Sequence, residues 1–180
     1  DDGSDRESRQ GHWEQVYTKK GENETSWFQE NPAPSHELIQ QVGAAHASAI
    51  IDIGGGAARL VDVLVEKGFQ DVTVLDLAGA ALDAAKGRLG AHAVHVDWIV
   101  ADATIWDPPK AYDIWHDRAA FHFLTEESDR ASYLVRLKRS LKIGGCASID
   151  TFARAGPGQG GGWPSVRYDS WSSGEGVGGV

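Results

Sequence analysis

Ala49-Ile50-Ile51-Asp52-Ile53-Gly54-Gly55-Gly56-Ala57-Ala58-Arg59-Leu60 decides how the rest of this 180-residue chain is read. A mostly apolar run carrying one acid meets three glycines. Leu60, Val61, Leu64 and Val65 then recur at the spacing of one helix face. A buried strand, a glycine turn and a helix start make a nucleotide-binding βα unit. Glycine lets backbone approach a ligand at the mouth of a strand, where a Cβ would occupy the space.

The spacing separates two kinds of ligand. A dinucleotide fingerprint, G-x-G-x-x-G counted from Gly54, needs its last glycine at position 59, which holds Arg59. A nicotinamide- or flavin-binding reading therefore lacks its helix-packing glycine. Read as D-x-G-x-G-x-G, the stretch supplies Asp52, Gly54 and Gly56, with Ala58 in the final place.

Composition narrows the class. The length suits one domain able to bury roughly 70% of its unfolded surface without staples. Cys146 is the single cysteine, which excludes a disulfide framework and a Cys-rich zinc site. No apolar run reaches the roughly 18 residues of a membrane span. The polar start Asp1-Asp2-Gly3-Ser4-Asp5 is unlike a signal peptide, so a soluble cytoplasmic protein is expected. A net charge of -9 argues against nucleic acid as a partner, because phosphate contacts need a basic surface.

From residue 49 the elements alternate strand and helix, the pattern of a parallel sheet covered on both faces. Strands are expected at 49–53, 72–76, 96–100, 112–116 and 146–152. Helices are expected over about 57–67, closed by Gly68, and 79–89, capped by Gly90. A long helix should start from a Thr125 cap, turn Leu134, Leu137 and Leu141 inward, and stop at Gly144-Gly145. Upstream, residues 1–11 read as disordered, and Ser35 caps a helix over roughly 36–47. Between them lie Trp13, Tyr17 and Ser26-Trp27-Phe28, aromatics in polar surroundings. They are either a staple to the core or a lid over a ligand. Residues 156–180, rich in glycine and serine, read as irregular.

Ligands of open α/β sheets bind outside the carboxyl ends of the strands, so the residues there carry the function. Asp76 ends the second strand, where a carboxylate accepts from ribose hydroxyls; it could also cap the next helix. Asp102 follows the third strand and could accept from an exocyclic adenine amine, or begin an Asx turn. His116, Asp117 and Arg118 leave the fourth strand, with His122 close behind. Ionisable residues placed there are costly to bury unless they pair or work. His92 and His95 with Asp97 make a weak metal constellation that lacks a third ligand in register, so no metal is expected.

These residues in this order resemble a small bacterial class I S-adenosylmethionine-dependent methyltransferase. The set is Asp52-x-Gly54-x-Gly56, Val74-Leu75-Asp76-Leu77, Val100-Ala101-Asp102-Ala103, Tyr112–Leu124 and Lys142-Ile143-Gly144-Gly145. The resemblance covers about residues 12–155, taken as the cofactor-binding domain. It implies a Rossmann-like doubly wound parallel sheet of order 3-2-1-4-5. It puts Gly54 and Gly56 against the methionine part of the cofactor, Asp76 on its ribose and Asp102 on its adenine amine, with Asp52, Gly55, Leu77 and Ala103 also among the cofactor-binding residues. Trp27 would join from the arm. His116 and Asp117 would lie beside the methyl group, as candidate bases for an unidentified acceptor.

The departure from the family is at the C-terminus, where its usual sixth and seventh strands are missing or vestigial, as if truncated or divergent. Strand five would then expose an edge that invites self-association, or take up a short strand near Val166-Arg167-Tyr168. An enzyme transferring a methyl group is the leading reading. Alternatives are a cofactor-binding protein without turnover and, disfavoured by Arg59, a nicotinamide-dependent oxidoreductase.

Overall fold

The strand β1 (Ala49–Ile53) is buried at every position, so neither of its faces can meet water and it must lie inside a covered sheet. The computed structural model describes residues 9–12, 14, 15, 37, 39–56, 58–117, 120–150 and 165–168. Of these, 122, 150 and 165–168 are described by backbone alone. After β1 come α1 (Leu60–Glu66), β2 (Asp71–Asp76), α2 (Gly79–Leu89) and β3 (Val96–Val100). They are followed by β4 (Tyr112–Asp117), α3 (Glu127–Ser140), β5 (Leu141–Asp150) and β6 (Ser165–Tyr168). The sheet order is β3-β2-β1-β4-β5-β6. The first five strands are parallel and β6 is antiparallel to β5. The expected order 3-2-1-4-5 is therefore present, doubly wound.

Alternation along β1 divides the core in two. Ile51 and Ile53 face a cluster with Trp115, Tyr133, Leu137 and Ile149, the side covered by α3. Ile50 faces Leu60, Val61, Leu64 and Leu82, the side covered by α1 and α2. Burying each such aliphatic side chain is worth about 1.5–3 kcal/mol, so both helical layers are needed to hold β1 where it is. Among the described residues no helix is long and apolar enough to cross a membrane.

Several boundaries differ from the expectation, each for a local reason. The helix after the glycine turn starts at Leu60, because the turn itself runs to Arg59, with Ala58 N–H donating to Gly55 O at 3.1 Å. The long helix has Glu126, not Thr125, as its N-cap and has no side-chain cap. Its buried positions are Asp129, Tyr133, Leu137 and Ser140; Leu141 already belongs to β5. The strand that was expected to start at Cys146 starts five residues earlier. Two steps along β4, from Tyr112 to Ile114, are matched by five along β5, from Leu141 to Cys146. Gly144 and Gly145 therefore build a bulge rather than stop a helix. Gly144 has φ of 79°, and a Cβ on Gly145 would stand 2.8 Å from Lys142 O and 3.0 Å from Asp113 O.

At the ends of the chain, residues 9–12 are helical, so structure begins before residue 12. Near the expected 36–47 helix, helical backbone ends at residue 41 in a turn. The remainder of the N-terminal arm, Trp27 included, and most of the glycine-rich tail lie outside the described residues. The short strand foreseen near 166–168 is there, with Ser148 paired to Arg167 and Ile149 to Val166.

Two glycines give a matched test. Gly145→Ala should cost about 1–3 kcal/mol, since two of the three atoms it meets, Lys142 O and Asp113 O, are backbone and the third is Leu141 Cδ1. Gly87→Ala, in α2 with nothing within 4 Å of the added Cβ, should stabilise by about 0.5–1 kcal/mol. Urea denaturation of the two variants measures both, and equal effects would contradict the bulge.

Candidate functional site

The carboxyl ends of β1 and β2 are sewn together by backbone groups of the glycine turn. Gly54 N–H donates to Leu75 O at 2.7 Å, which the chain reaches with Gly54 at φ of 70°. Gly56 N–H donates to Asp76 Oδ2 at 3.0 Å, and Ala78 N–H to Asp76 Oδ1 at 2.9 Å. A Cβ on Gly56 would stand 2.8 Å from the Ala81 Cβ, and one on Gly55 only 2.2 Å from Asp52 Oδ2. These two glycines are thus fixed by the neighbours that press on the turn. Asp76 is buried, and loss of hydration raises its carboxyl to about 6 despite the two N–H donors; the nearby Asp52 adds to the rise.

Beside this turn lies an open cavity whose wall includes Gly54, Asp76, Leu77, Asp102, Ala103 and Tyr133. Asp102 is shaped by its own loop: Thr104 N–H and Oγ1 both donate to its Oδ1, at 2.8 and 2.7 Å. This is the Asx-type turn weighed in the sequence, and it leaves Oδ2 toward Arg9, whose Nη1 is 3.4 Å away. The other arm of the Arg9 fork donates to Asp129 Oδ2 at 2.5 Å. From the same N-terminal stretch, Glu14 accepts from Gly79 N–H and, at 3.3 Å, from Ala80 N–H, placing a carboxylate on the positive end of α2. The N-terminal stretch thus reaches the cavity wall through Arg9 and the start of α2 through Glu14.

His116 and Asp117, the candidate bases, are set elsewhere. Asp117 is the last residue of β4, not a loop residue, and it is fully buried. Its Oδ1 accepts from Ala120 N–H at 2.7 Å and its Oδ2 from Phe121 N–H at 3.0 Å, so it organises the segment that follows. Burial raises its carboxyl to about 6, against the pull of its donors and of His116. His116 lies in register with Asp52, and its Nδ1 is 2.8 Å from Asp52 Oδ1. Both side chains are buried and neither lines the cavity. Asp52 Oδ2, under the glycine turn, is buried without a hydrogen-bond partner.

The cavity therefore brings together Gly54, Asp76, Leu77, Asp102 and Ala103, with Gly55, Gly56 and Asp52 behind them. Among the described residues no group of three His, Cys, Asp or Glu side chains could hold a metal ion. His92 and His95 sit in a 3-10 turn, Gly90–His95. Sequence reasoning missed Arg9, Thr104 and Tyr133. The spacing Asp129, Tyr133, Leu137 marks one helix face and could have pointed to Tyr133. A single arginine in a polar stretch offered no such signal.

The raised carboxyls of Asp76 and Asp117 have a consequence for stability. The folded chain holds these protons more tightly than the unfolded chain, so the stability they contribute is present below about pH 4. It is lost as pH rises through about 6, on the order of 3 kcal/mol for each. In urea denaturation, Asp117→Asn should lose less stability than the parent between about pH 4.5 and 7.5. Parallel profiles would show that Asp117 does not take up a proton in that range.

A family model described as methyltransferase domain matches residues 50–145, just over half of the chain. Trans-aconitate 2-methyltransferase of Rhizobium etli is 29% identical over 121 residues, 67% of this chain and 44% of that protein. The enzyme of the same name from Methylobacterium radiotolerans is 31% identical over 127 residues, 69% of this chain and 46% of that one. The chain thus spans less than half the length of these curated relatives. The fold is shared with the glycopeptide N-methyltransferase MtfA, at 19% identity and a TM-score of 0.58 over 66% of this chain and 52% of that one. It is shared too with phosphoethanolamine N-methyltransferase 1 of Haemonchus contortus, at 18% identity and a TM-score of 0.68 over 83% of this chain and 33% of the other. With the sheet order and the glycine turn already in place, the match shows that the chain belongs to the methyltransferase domain family, on the fold of the class I S-adenosylmethionine-dependent enzymes.

Proposed function

We propose that the cavity at the ends of β1, β2 and β3 binds S-adenosylmethionine and that the chain transfers its methyl group to a small carboxylate acceptor. The observation that carries the cofactor reading is the pairing of Asp76 and Asp102 on one wall beside Gly54. In this reading the remaining accepting capacity of Asp76 would serve ribose hydroxyls, and Asp102 Oδ2, which Arg9 Nη1 approaches at 3.4 Å, would accept from an adenine amine. Asp52 Oδ2, buried under the turn without a hydrogen-bond partner, would add negative potential behind a cationic group bound in the cavity. When bound, the cofactor supplies a sulfonium-activated methyl group, so the chain's task is orientation.

The acceptor is taken from the relatives, whose names specify trans-aconitate. Among the described residues no histidine lines the cavity, and its ionisable groups are Arg9, Asp76, Asp102 and Tyr133. A carboxylate arrives without a proton at neutral pH and needs no base to become a nucleophile. In this reading His116 and Asp117 contribute by position: His116 steadies Asp52 under the turn, and Asp117 shapes the rim after β4. The second reading, binding without turnover, draws on the chain's covering less than half of its relatives.

Titration calorimetry with S-adenosylhomocysteine tests the site. Asp76→Ala should weaken binding by about 1–3 kcal/mol through loss of a charged acceptor, and unchanged affinity would remove Asp76 from the site. Incubation with S-adenosylmethionine and trans-aconitate, followed by mass spectrometry, tests the transfer. A methyl ester with matching S-adenosylhomocysteine is expected. Tight binding with neither product would favour the second reading for this acceptor.

A further inference from the structure

We propose that Tyr133 is a positioning residue of the cofactor site, acting through Asp117 on the segment that lies against Gly54. The inference rests on the reading of the cavity as that site. Tyr133 comes from the inner face of α3, is fully buried, and still forms part of the cavity wall. Its ring meets Trp115 edge-on, with centroids 5.6 Å apart at 86°, and packs on Phe121 at 5.0 Å. A phenylalanine would fill that space equally well. What the tyrosine adds is a hydroxyl with two partners.

The hydroxyl accepts from Trp115 Nε1 at 2.8 Å and donates to Asp117 Oδ2 at 2.5 Å. Burial first, and Asp117 second, hold the phenol well above its ordinary pKa, so it remains a donor. Asp117 in turn receives the N–H groups of Ala120 and Phe121, which start the short 3-10 turn Phe121–Phe123. Ala120 lines the cavity, and its Cβ would stand 3.0 Å from a Cβ placed on Gly54. The chain of contacts runs from Trp115 through Tyr133 and Asp117 to Ala120, and from Ala120 onto the glycine turn. Every link before the last is a hydrogen bond, the two through the Tyr133 hydroxyl fully buried and the one from Ala120 N–H to Asp117 partly so. Loss of the hydroxyl would leave an indole N–H without its acceptor and Asp117 without its only side-chain donor among those described. The relief available is a shift of the rim, which moves Ala120 relative to Gly54.

Tyr133→Phe in the full chain tests this with two readouts. Amide hydrogen exchange at Ala120 and Phe121 should quicken by about tenfold or more while β1 amides at 51–53 keep their rates. Affinity for S-adenosylhomocysteine should fall by about three- to tenfold. Asp117→Asn should weaken binding as well, and the double variant should be little worse than the weaker single one, because both act on one link. A uniform rise in exchange over β1, α3 and the rim would overturn the proposal, making the hydroxyl a contributor to global stability only. Unchanged rates at Ala120 and Phe121 would overturn it too. Rim-confined exchange in a parent chain that does not bind S-adenosylhomocysteine would support the positioning role and sink the cofactor reading. If Tyr133→Phe does not fold, Trp115→Phe removes the other hydroxyl bond and should show the same rim-confined pattern more weakly.

Discussion

The carboxylate of Asp76 is the constraint on which the ligand end of this fold depends. It sits at the end of β2 and takes one N–H from the turn after β1 and another from the approach to α2. Three chain segments, the end of β2, the glycine turn and the approach to α2, are joined at two oxygen atoms. The cost is visible in its ionisation, raised to about 6 because water has been removed from it. A neutral side chain could sit there more easily. An amide would offer one acceptor where two donors converge, and would turn its own N–H₂ toward one of them. The charge is retained where geometry needs two acceptors and where hydroxyl groups of a ligand would find a third and a fourth.

Acid is the theme of the whole cavity. Asp52, Asp76, Asp102, Asp117 and Asp129 lie in or behind its wall, in a chain of net charge -9. Each is handled differently: Asp52 by His116, Asp76 and Asp117 by backbone N–H groups, Asp102 by Thr104. Asp102 and Asp129 share the guanidinium of Arg9, brought from the far end of the sequence. Removing any one partner would strand a poorly hydrated charge, which is why these residues read as a set. The same negative field suits a cofactor that carries a sulfonium, an argument in favour of the proposed ligand that is independent of the glycine turn.

Much of this was legible because period and spacing are local. The run 49–53 into three glycines marked β1 and the turn, the alternation of elements marked a parallel sheet, and the family resemblance supplied its order. Asp76 and Asp102 stood out because one ends β2 and the other lies two residues past the end of β3. The errors arose where one residue type has two uses. Gly144 and Gly145 look like a helix stop, yet they form a bulge whose existence depends on the register with β4. His116 and Asp117 look like bases because polar residues follow an apolar strand. Their partners come from elsewhere in the chain: Asp117 meets Tyr133 of α3, 16 residues farther along, and His116 meets Asp52 of β1, 64 residues back. Arg9 was not legible at all, since its partners are 93 and 120 residues away.

The open side of the sheet follows the same logic of local and distant constraint. Alone, β5 would present a row of unpaired N–H and C=O groups along its outer edge, the arrangement that invites other strands. β6 covers it over only four residues, from Ala147 to Asp150, the same end at which Trp115, His116 and Asp117 of β4 lie in register with β5. Antiparallel addition needs no crossover helix, so a short return of the chain suffices where a parallel strand would need a dozen residues or more. Covering the carboxyl end of β5 also protects the part of the strand that carries Ser148 beside His116. The bulge at 142–145, farther back along β5, disrupts pairing with β4 at the other end, and a strand bent there is a poorer template for a second chain. Edge protection thus falls on β5 and β6, while the cavity is lined from the ends of β1, β2 and β3. Any longer β6 would cover more of β5 without adding support to the ends of the strands where the cavity lies.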